Sequence, residues 1–517
     1  MSKIEKQLQQ RLSALGGETL LEEIYRTACA QDGAHAELVA SLRRMSLGGG
    51  QLSDRVTCAA GAIREKFEER DRYIGIAAAN PLDWVVLLWA VLKSGNKPFL
   101  MENDRSGAEN DAALTSLEAL GVVSCGERVD TSLPLLAWET LPLTGATDVT
   151  FPAFGKELAL FGANGAVCVL DGERLLTGLK HAGDIPDPAK KDPYKWLIAL
   201  PLTTEEGIAL YGLSTLSGAV AVFSAEPSAE AVMRTARTLR VTHLAALPGV
   251  WHGADRQLCR LLDSRDEKTR NKFYRSLEGK GSAPSFRELS THLFGESLRG
   301  CVCLGGTVRD AARSRLSAVG YAVWSGAEDT SAEAAMERVF DLPQAEEWVV
   351  LCGEEGEGAC LVIRIPENLL SLQKKNLLDA VDACRARLPE SMPLAEVWYT
   401  TDPLTEAPSR GMDRTVLRAR IASGKVRRVQ LFCAEESGEE SELRAILRSM
   451  FADILEIGEE EIPEDAHFMI DLGGSSLDYF TLVGEINERF GINLGFEGEE
   501  FRYTLRDFER AVKDLVK

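Results

Sequence analysis

Ile4, Leu8, Leu12 and Leu15 recur at the spacing of one helix face, so residues 1–45 read as a helical N-terminal extension. The Gly48-Gly49-Gly50 run breaks that pattern. Beyond it the period alternates. Val56 to Phe67 carries a helical stripe, and Tyr73-Ile74-Gly75-Ile76-Ala77-Ala78 is a short apolar run. Asn80-Pro81 punctuates it, and Trp84 to Lys93 is an apolar helix followed by Gly95. Short apolar runs between helices predict strands buried on both faces, in parallel sheets covered by helices. Comparable pieces recur at Leu197–Phe223, Val241–Trp251 and Phe294–Arg309. The expected organisation is a large α/β domain over residues 46–340 and a small α+β subdomain over 341–433.

Residues 434–441, Ala-Glu-Glu-Ser-Gly-Glu-Glu-Ser, are polar and acidic, the composition of an interdomain linker. Past them, Leu443–Ile457, Ser476–Phe490 and Leu505–Val516 each carry an apolar stripe, so residues 442–517 read as an all-α bundle. On the middle helix, Asp478, Glu485 and Glu488 fall outside, while Leu477, Leu482 and Ile486 hold core spacing.

Length and composition add bounds. A chain of 517 residues suits three or four domains. The formal charge of −21 argues against nucleic acid or an anionic membrane as the main partner, because both reward clustered cations. The longest charge-free apolar run, Trp84–Leu92, is too short to span a bilayer. The eleven cysteines include no Cys-x-x-Cys pair, and no histidines share metal-ligand spacing, so no metal site is expected. Reduced thiols and a polar N-terminus point to the cytoplasm. Cys301 and Cys303 flank one residue of an apolar run and should share one side of a buried strand.

Asp471-Leu472-Gly473-Gly474-Ser475-Ser476-Leu477-Asp478 lies between two of the C-terminal helical stripes. The glycine pair frees the backbone, and the helical pattern begins at Ser476. A phosphodiester there would meet the free N–H groups and positive dipole end of a helix. Serine is also the favoured N-cap, so Ser475 or Ser476 can equally fill that place. The stretch resembles the attachment motif of acyl and peptidyl carrier proteins, which are four-helix bundles. The resemblance implies that Ser476 takes a covalent 4′-phosphopantetheine arm from a phosphopantetheinyl transferase. Other enzymes would then process the acyl or aminoacyl group it bears. It also implies that the acidic face of the middle helix meets basic patches on those partners.

Residues 73–101, with Asn-Pro-x-x-Trp and the helix ending Ala-Val-Leu-Lys-Ser-Gly, resemble the adenylate-forming superfamily of acyl-CoA synthetases and peptide-synthetase adenylation domains. Leu304-Gly305-Gly306-Thr307 and Arg387–Tyr399 continue the resemblance in order. The chemistry of that family is poorly kept. Where it has a hydroxyl-rich phosphate loop ending in Pro-Lys, this chain has Leu160–Val167. That loop retains the turn residues Gly162, Asn164 and Gly165 but neither hydroxyls nor lysine. In place of Tyr-Gly-x-Thr-Glu it has Ser325-Gly326-Ala327-Glu328-Asp329. Asp329 reads either as a metal ligand of shorter reach or as a solvated loop acid. Between Asp329 and Trp348 neither Thr-Gly-Asp nor the ribose-binding hinge motif occurs. Gly411 stands where the catalytic lysine belongs, beside Arg410, whose guanidinium is not equivalent to an ammonium. Gly162, Asn164, Gly165, Gly326, Asp329 and Arg410 are thus a vestigial nucleotide site. No catalytic residue is assigned, and ATP and Mg²⁺ binding stay open.

Two functions follow as expectations. One is a carrier fused to an adenylation-like domain that has lost adenylation and is loaded in trans. The other is an active ligase that adenylates a carboxylic or amino acid and loads its own carrier.

Overall fold

A computed structural model describes residues 10–40, 43–102, 105–141, 154–162, 165–183, 194–277, 286–306, 308–325, 331–342, 345–352, 358–365, 371–388, 393–405, 413–430, 442–455, 457–492, 494 and 503–515. They fall into two compact units. The first comprises residues up to 308 with 312–328, and the second comprises 309–311, 329–406 and the chain from 412 onward.

The first unit holds two sheets. The strands are β1 (Ala34–Ala40), β2 (Arg43–Gly48), β3 (Tyr73–Ala78), β4 (Lys97–Leu100), β5 (Gly121–Cys125), β6 (Leu135–Trp138), β7 (Glu157–Phe161), β8 (Val167–Asp171), β9 (Lys195–Ala199), β10 (Val220–Ser224), β11 (His243–Ala246), β12 (Gly300–Cys303) and β13 (Val323–Ser325). One sheet runs β13-β12-β11-β9-β10-β1-β2 and the other β6-β5-β3-β4-β7-β8. Only the edge strands β2 and β8 pair antiparallel to their neighbours. This is the expected α/β pattern of buried parallel strands. The apolar helix is Pro81–Lys93, with Pro81 at its first position and Asn80 accepting hydrogen bonds from Leu82 N–H and Asp83 N–H at 3.0 Å. Every residue from Trp84 to Leu92 is buried.

The N-terminal extension is helical only in part, which corrects the expectation for residues 1–45. Helix Gly17–Cys29 keeps the predicted spacing, but Gly33 turns the chain at a φ of +95° and residues 34–48 form the hairpin β1–β2. Long-range pairing decides this segment. β1 runs parallel to β10 from Ala36↔Ala221 to Val39↔Ser224. His35 Nε2 lies 2.8 Å from Tyr211 Oη, which accepts a 2.9 Å bond from Trp89 Nε1. The buried Glu37 pairs with Lys195 at 2.6 Å and with Arg44. The triple glycine starts a helix rather than a loop, because Gly48 is the N-cap of Gly49–Lys66. A Cβ on Gly49 would lie 2.7 Å from Cys29 O. Cys301 and Cys303 share β12 and one core cluster, as expected, and burial pushes the Cys303 thiol up to about 12.

The second unit begins with β14 (Glu347–Cys352), β15 (Ala359–Arg364), β16 (Leu394–Thr400) and β17 (Val429–Gln430), a sheet of mixed direction packed by helix Ser371–Arg385. Three α-helices follow, Glu442–Leu455, Ser476–Phe490 and Leu505–Leu515, with a 3₁₀ turn at Glu459–Glu461. Their core closes on Phe451, whose ring meets Phe468 at 5.1 Å and Phe508 at 5.7 Å, both edge to face. The acidic stretch 434–441 lies outside the described residues.

Candidate functional site

The loop of residues 467–475 is built from its backbone outward. Asp471 N–H and Leu472 N–H both donate to His467 O, at 2.7 and 3.2 Å, and Asp471 Oδ2 accepts His467 N–H at 2.6 Å. His467 Nδ1 accepts Ile470 N–H at 3.1 Å, and its ring stacks on Tyr503 with centroids 4.2 Å apart. The two glycines have separate reasons. Gly473 adopts a φ of +78°, open to glycine at little cost. Gly474 sits against the buried Phe468, donates to Phe468 O at 3.0 Å, and has no room for a Cβ.

The two serines divide the work. Ser475 is the N-cap: its Oγ accepts Asp478 N–H at 3.2 Å, while Asp478 Oδ2 accepts Ser475 N–H at 2.8 Å and Ser475 Oγ–H at 2.7 Å. Those bonds, first from the Ser475 side chain and then from its backbone, hold the Asp478 carboxyl below its ordinary range. Ser476 is therefore free of capping duty. It is the first residue of the helix and exposed, beside the electropositive end of fifteen residues of helix. Leu477 departs from its expected core placement and is 74 % exposed, and Phe480, one turn along, is 53 % exposed. Leu482, Val483 and Ile486 supply the buried stripe instead.

The nucleotide-site residues are less complete. Gly162 and Gly165 close the turn between β7 and β8. Gly162 N–H donates to Ala166 O at 2.8 Å, Gly165 N–H donates to Gly162 O at 2.9 Å, and Gly165 has a φ of +75°. Beside this turn the Arg105 guanidinium lies over the Phe161 ring at 3.9 Å and pairs with Glu102 at 2.7 Å. Gly305 and Gly306 end β12 at φ of +69° and +149°, packed by Leu247 and Pro248. Asn164, Gly326, Asp329 and Arg410 lie outside the described residues. Among the described residues no cluster of acids, histidines or cysteines is arranged for a metal ion, and no helix is long and apolar enough to cross a membrane.

Sequence reasoning missed Tyr399, Arg427 and Ile470. Tyr399 Oη donates to Asp471 Oδ2 at 2.6 Å, Arg427 pairs with Asp507 at 3.0 Å, and Ile470 packs on the core of the small subdomain. No local pattern marks such contacts, since their partners lie 72 and 80 residues away.

With that geometry in view, the family of phosphopantetheine attachment sites matches residues 445–497. The acyl carrier protein of Treponema pallidum is 37 % identical over 75 residues, covering 14 % of this chain and 96 % of that protein. The didomain of carboxylic acid reductase from Segniliparus rugosus, an adenylation domain with a peptidyl carrier protein, solved with AMP, superposes with a TM-score of 0.61. It does so at 12 % identity, over 98 % of this chain and 97 % of that one. A benzoate CoA ligase from Burkholderia xenovorans superposes with a TM-score of 0.57 at 13 % identity, over 77 % of this chain and 99 % of its own. The chain is an adenylate-forming fold fused to a C-terminal domain that belongs to the acyl carrier protein family.

Proposed function

We propose that this protein is a carrier whose Ser476 bears a covalent 4′-phosphopantetheine arm, and that its adenylate-forming domain no longer activates acids. The observation that carries the first half is the division of labour between the serines. Ser475 and Asp478 cap the helix by themselves, leaving Ser476 exposed at its first position. The residues fit the group: an exposed hydroxyl at a helix N-terminus suits a phosphodiester, and the Gly473–Gly474 backbone leaves the approach clear of side chains. When bound, the arm supplies a thiol that holds an acyl or aminoacyl group as a thioester. The Ser476 oxygen forms its bond to phosphorus by displacing adenosine 3′,5′-bisphosphate from coenzyme A, and its proton leaves to a base of the transferase. Asp478 is a positioning residue, fixing the first helical turn. Acyl- or aminoacyl-processing enzymes acting in trans are the remaining partners, and the cytoplasm, where coenzyme A is available, is the compartment.

The second half rests on charge. Adenylation places three phosphates where backbone N–H groups, hydroxyls and a lysine must neutralise them. In the β7–β8 turn the N–H groups of Gly162 and Gly165 are already bonded to the chain's own carbonyls, and the neighbouring Arg105 is engaged by Glu102. A self-loading ligase is the second reading, favoured by the order of an adenylate-forming fold before a carrier.

Intact mass decides the first half. Coexpression with a phosphopantetheinyl transferase should add one phosphopantetheine to the protein and none to the Ser476→Ala variant. No gain, or gain in the variant, sinks it. Pyrophosphate exchange over a panel of carboxylic and amino acids decides the second, with exchange above background for any acid restoring the ligase.

A further inference from the structure

We propose that the face of the small subdomain bearing Tyr399 and Arg427 is a mount for the chain's own carrier domain, gripping one side of its loop and leaving Ser476 facing outward for enzymes acting in trans. Three contacts converge. Tyr399, itself buried, donates its hydroxyl to Asp471 Oδ2 at 2.6 Å, and the same oxygen is tied into the carrier by His467 N–H. Arg427 Nη2 meets Asp507 Oδ2 at 3.0 Å, at the start of the last carrier helix. Ile470 sits against the apolar cluster that contains Val397 and Tyr399. Hydrogen bond, ion pair and apolar contact thus come from two separated points of the carrier, the 470–471 stretch of its loop and the start of its last helix, which fixes orientation as well as proximity.

The charge balance runs the same way. Residues 442–517 contain eighteen acidic and eight basic side chains, whereas residues 413–428 contain six cations against the single acid Asp413; Arg414 and Arg418 pair with Glu337 and Glu333 of their own subdomain, and Arg427 reaches the carrier. Burial, and then the Asp471 carboxylate, push the Tyr399 hydroxyl up, so it stays a donor at any working pH. Undocking would exchange this charge-assisted hydrogen bond for water and uncover the apolar contact of Ile470, which opposes free excursions of the carrier.

The grip spares the business side. Ser476 is exposed, and so are Leu477 and Phe480, whose ring meets that of Tyr479 at 6.2 Å. A carrier that travelled to a catalytic centre of its own chain would need this contact to be weak. A carrier displayed to outside enzymes profits from a rigid base. Only the purpose assigned to the mount rests on the reading of Ser476 as the attachment residue.

Transverse relaxation of carrier amides in isotopically labelled full-length protein tests the mount. In the wild type these amides should relax at the rate of a large particle. In a Tyr399→Phe, Arg427→Glu double variant they should relax several-fold more slowly, as a small domain on a tether. Ile470→Asp should act in the same direction. The same experiment on a Ser476→Ala background should give the same result, so it is independent of modification. A wild-type carrier that already tumbles freely, or a double variant that matches the wild type, overturns the mount. A transferase labelling rate that rises ten-fold or more in the double variant would show that the mount hides Ser476 and would overturn the outward-facing assignment; a rise of less than about two-fold is expected.

Discussion

A Cβ placed on Gly474 would lie 2.5 Å from Cε1 of Phe468 and 2.9 Å from its carbonyl oxygen. Phe468 is fully buried and locked edge to face against Phe451, so the ring has no free space to yield. Gly474→Ala is therefore an overpacking change, costing about 1–3 kcal/mol. Urea denaturation followed by hydrogen exchange of the carrier amides should register that loss in the full chain. An unchanged midpoint would mean the loop relaxes without cost.

Ser475→Ala removes the cap of the 476–490 helix and should destabilise the carrier by about 1 kcal/mol. Ser476 keeps its hydroxyl in this variant, so phosphopantetheine should still be added, more slowly as the first turn frays. The cap also has a pH signature. Asp478 is held below its ordinary value of 3.8, so its contribution is complete above that value and fades as pH falls through the lowered one. Asp478→Asn should flatten the acid limb of carrier stability, and an acid limb identical to wild type would rule the cap out as its source.

Much of this was legible in the sequence, for reasons that differ by element. The Pro81–Lys93 helix announced itself through Asn80-Pro81 and an unbroken apolar run, and the carrier helices through their stripes, because burial alone dictates those patterns. The β1–β2 hairpin did not. Its partner β10 lies about 180 residues away, and His35 and Glu37 are polar residues buried by bonds to Tyr211 and Lys195 that no local window contains. Asp32-Gly33 was the available signal, a turn that ends the N-terminal helix. At the site, glycine spacing pointed to the loop, but the folded geometry is what separates a capping Ser475 from an exposed Ser476 and turns Leu477 to solvent.

His35 gives the large domain a titration. Burial lowers its pKa from 6.5 to about 4, so the folded unit holds it neutral while an unfolded chain would take up a proton. Its contribution is complete above pH 6.5 and is lost as pH falls toward 4, about 3 kcal/mol in all. Protection factors of the β1 amides, corrected for the intrinsic pH dependence of exchange, should fall across that window in the wild type. In His35→Gln, which cannot titrate, the pH dependence should vanish. The same slope in both proteins would place the titrating group elsewhere.

Gly411→Lys separates one missing group from a dismantled site. If the lysine were the sole loss, restoring it would revive pyrophosphate exchange, because a single positioned ammonium can recover much of the lost electrostatic stabilisation. The β7–β8 turn predicts otherwise. Its Gly162 and Gly165 N–H groups already serve Ala166 O and Gly162 O, and its adjacent cation, Arg105, lies on Phe161 and pairs with Glu102. A triphosphate arriving there would have to break those internal bonds before gaining any of its own. Gly411→Lys should therefore leave exchange at background with every acid tried, at enzyme concentrations where an intact ligase gives a clear signal. Exchange rescued by this one substitution would mean the phosphate turn can reopen, and the large domain would have to be counted as a ligase disarmed at one residue.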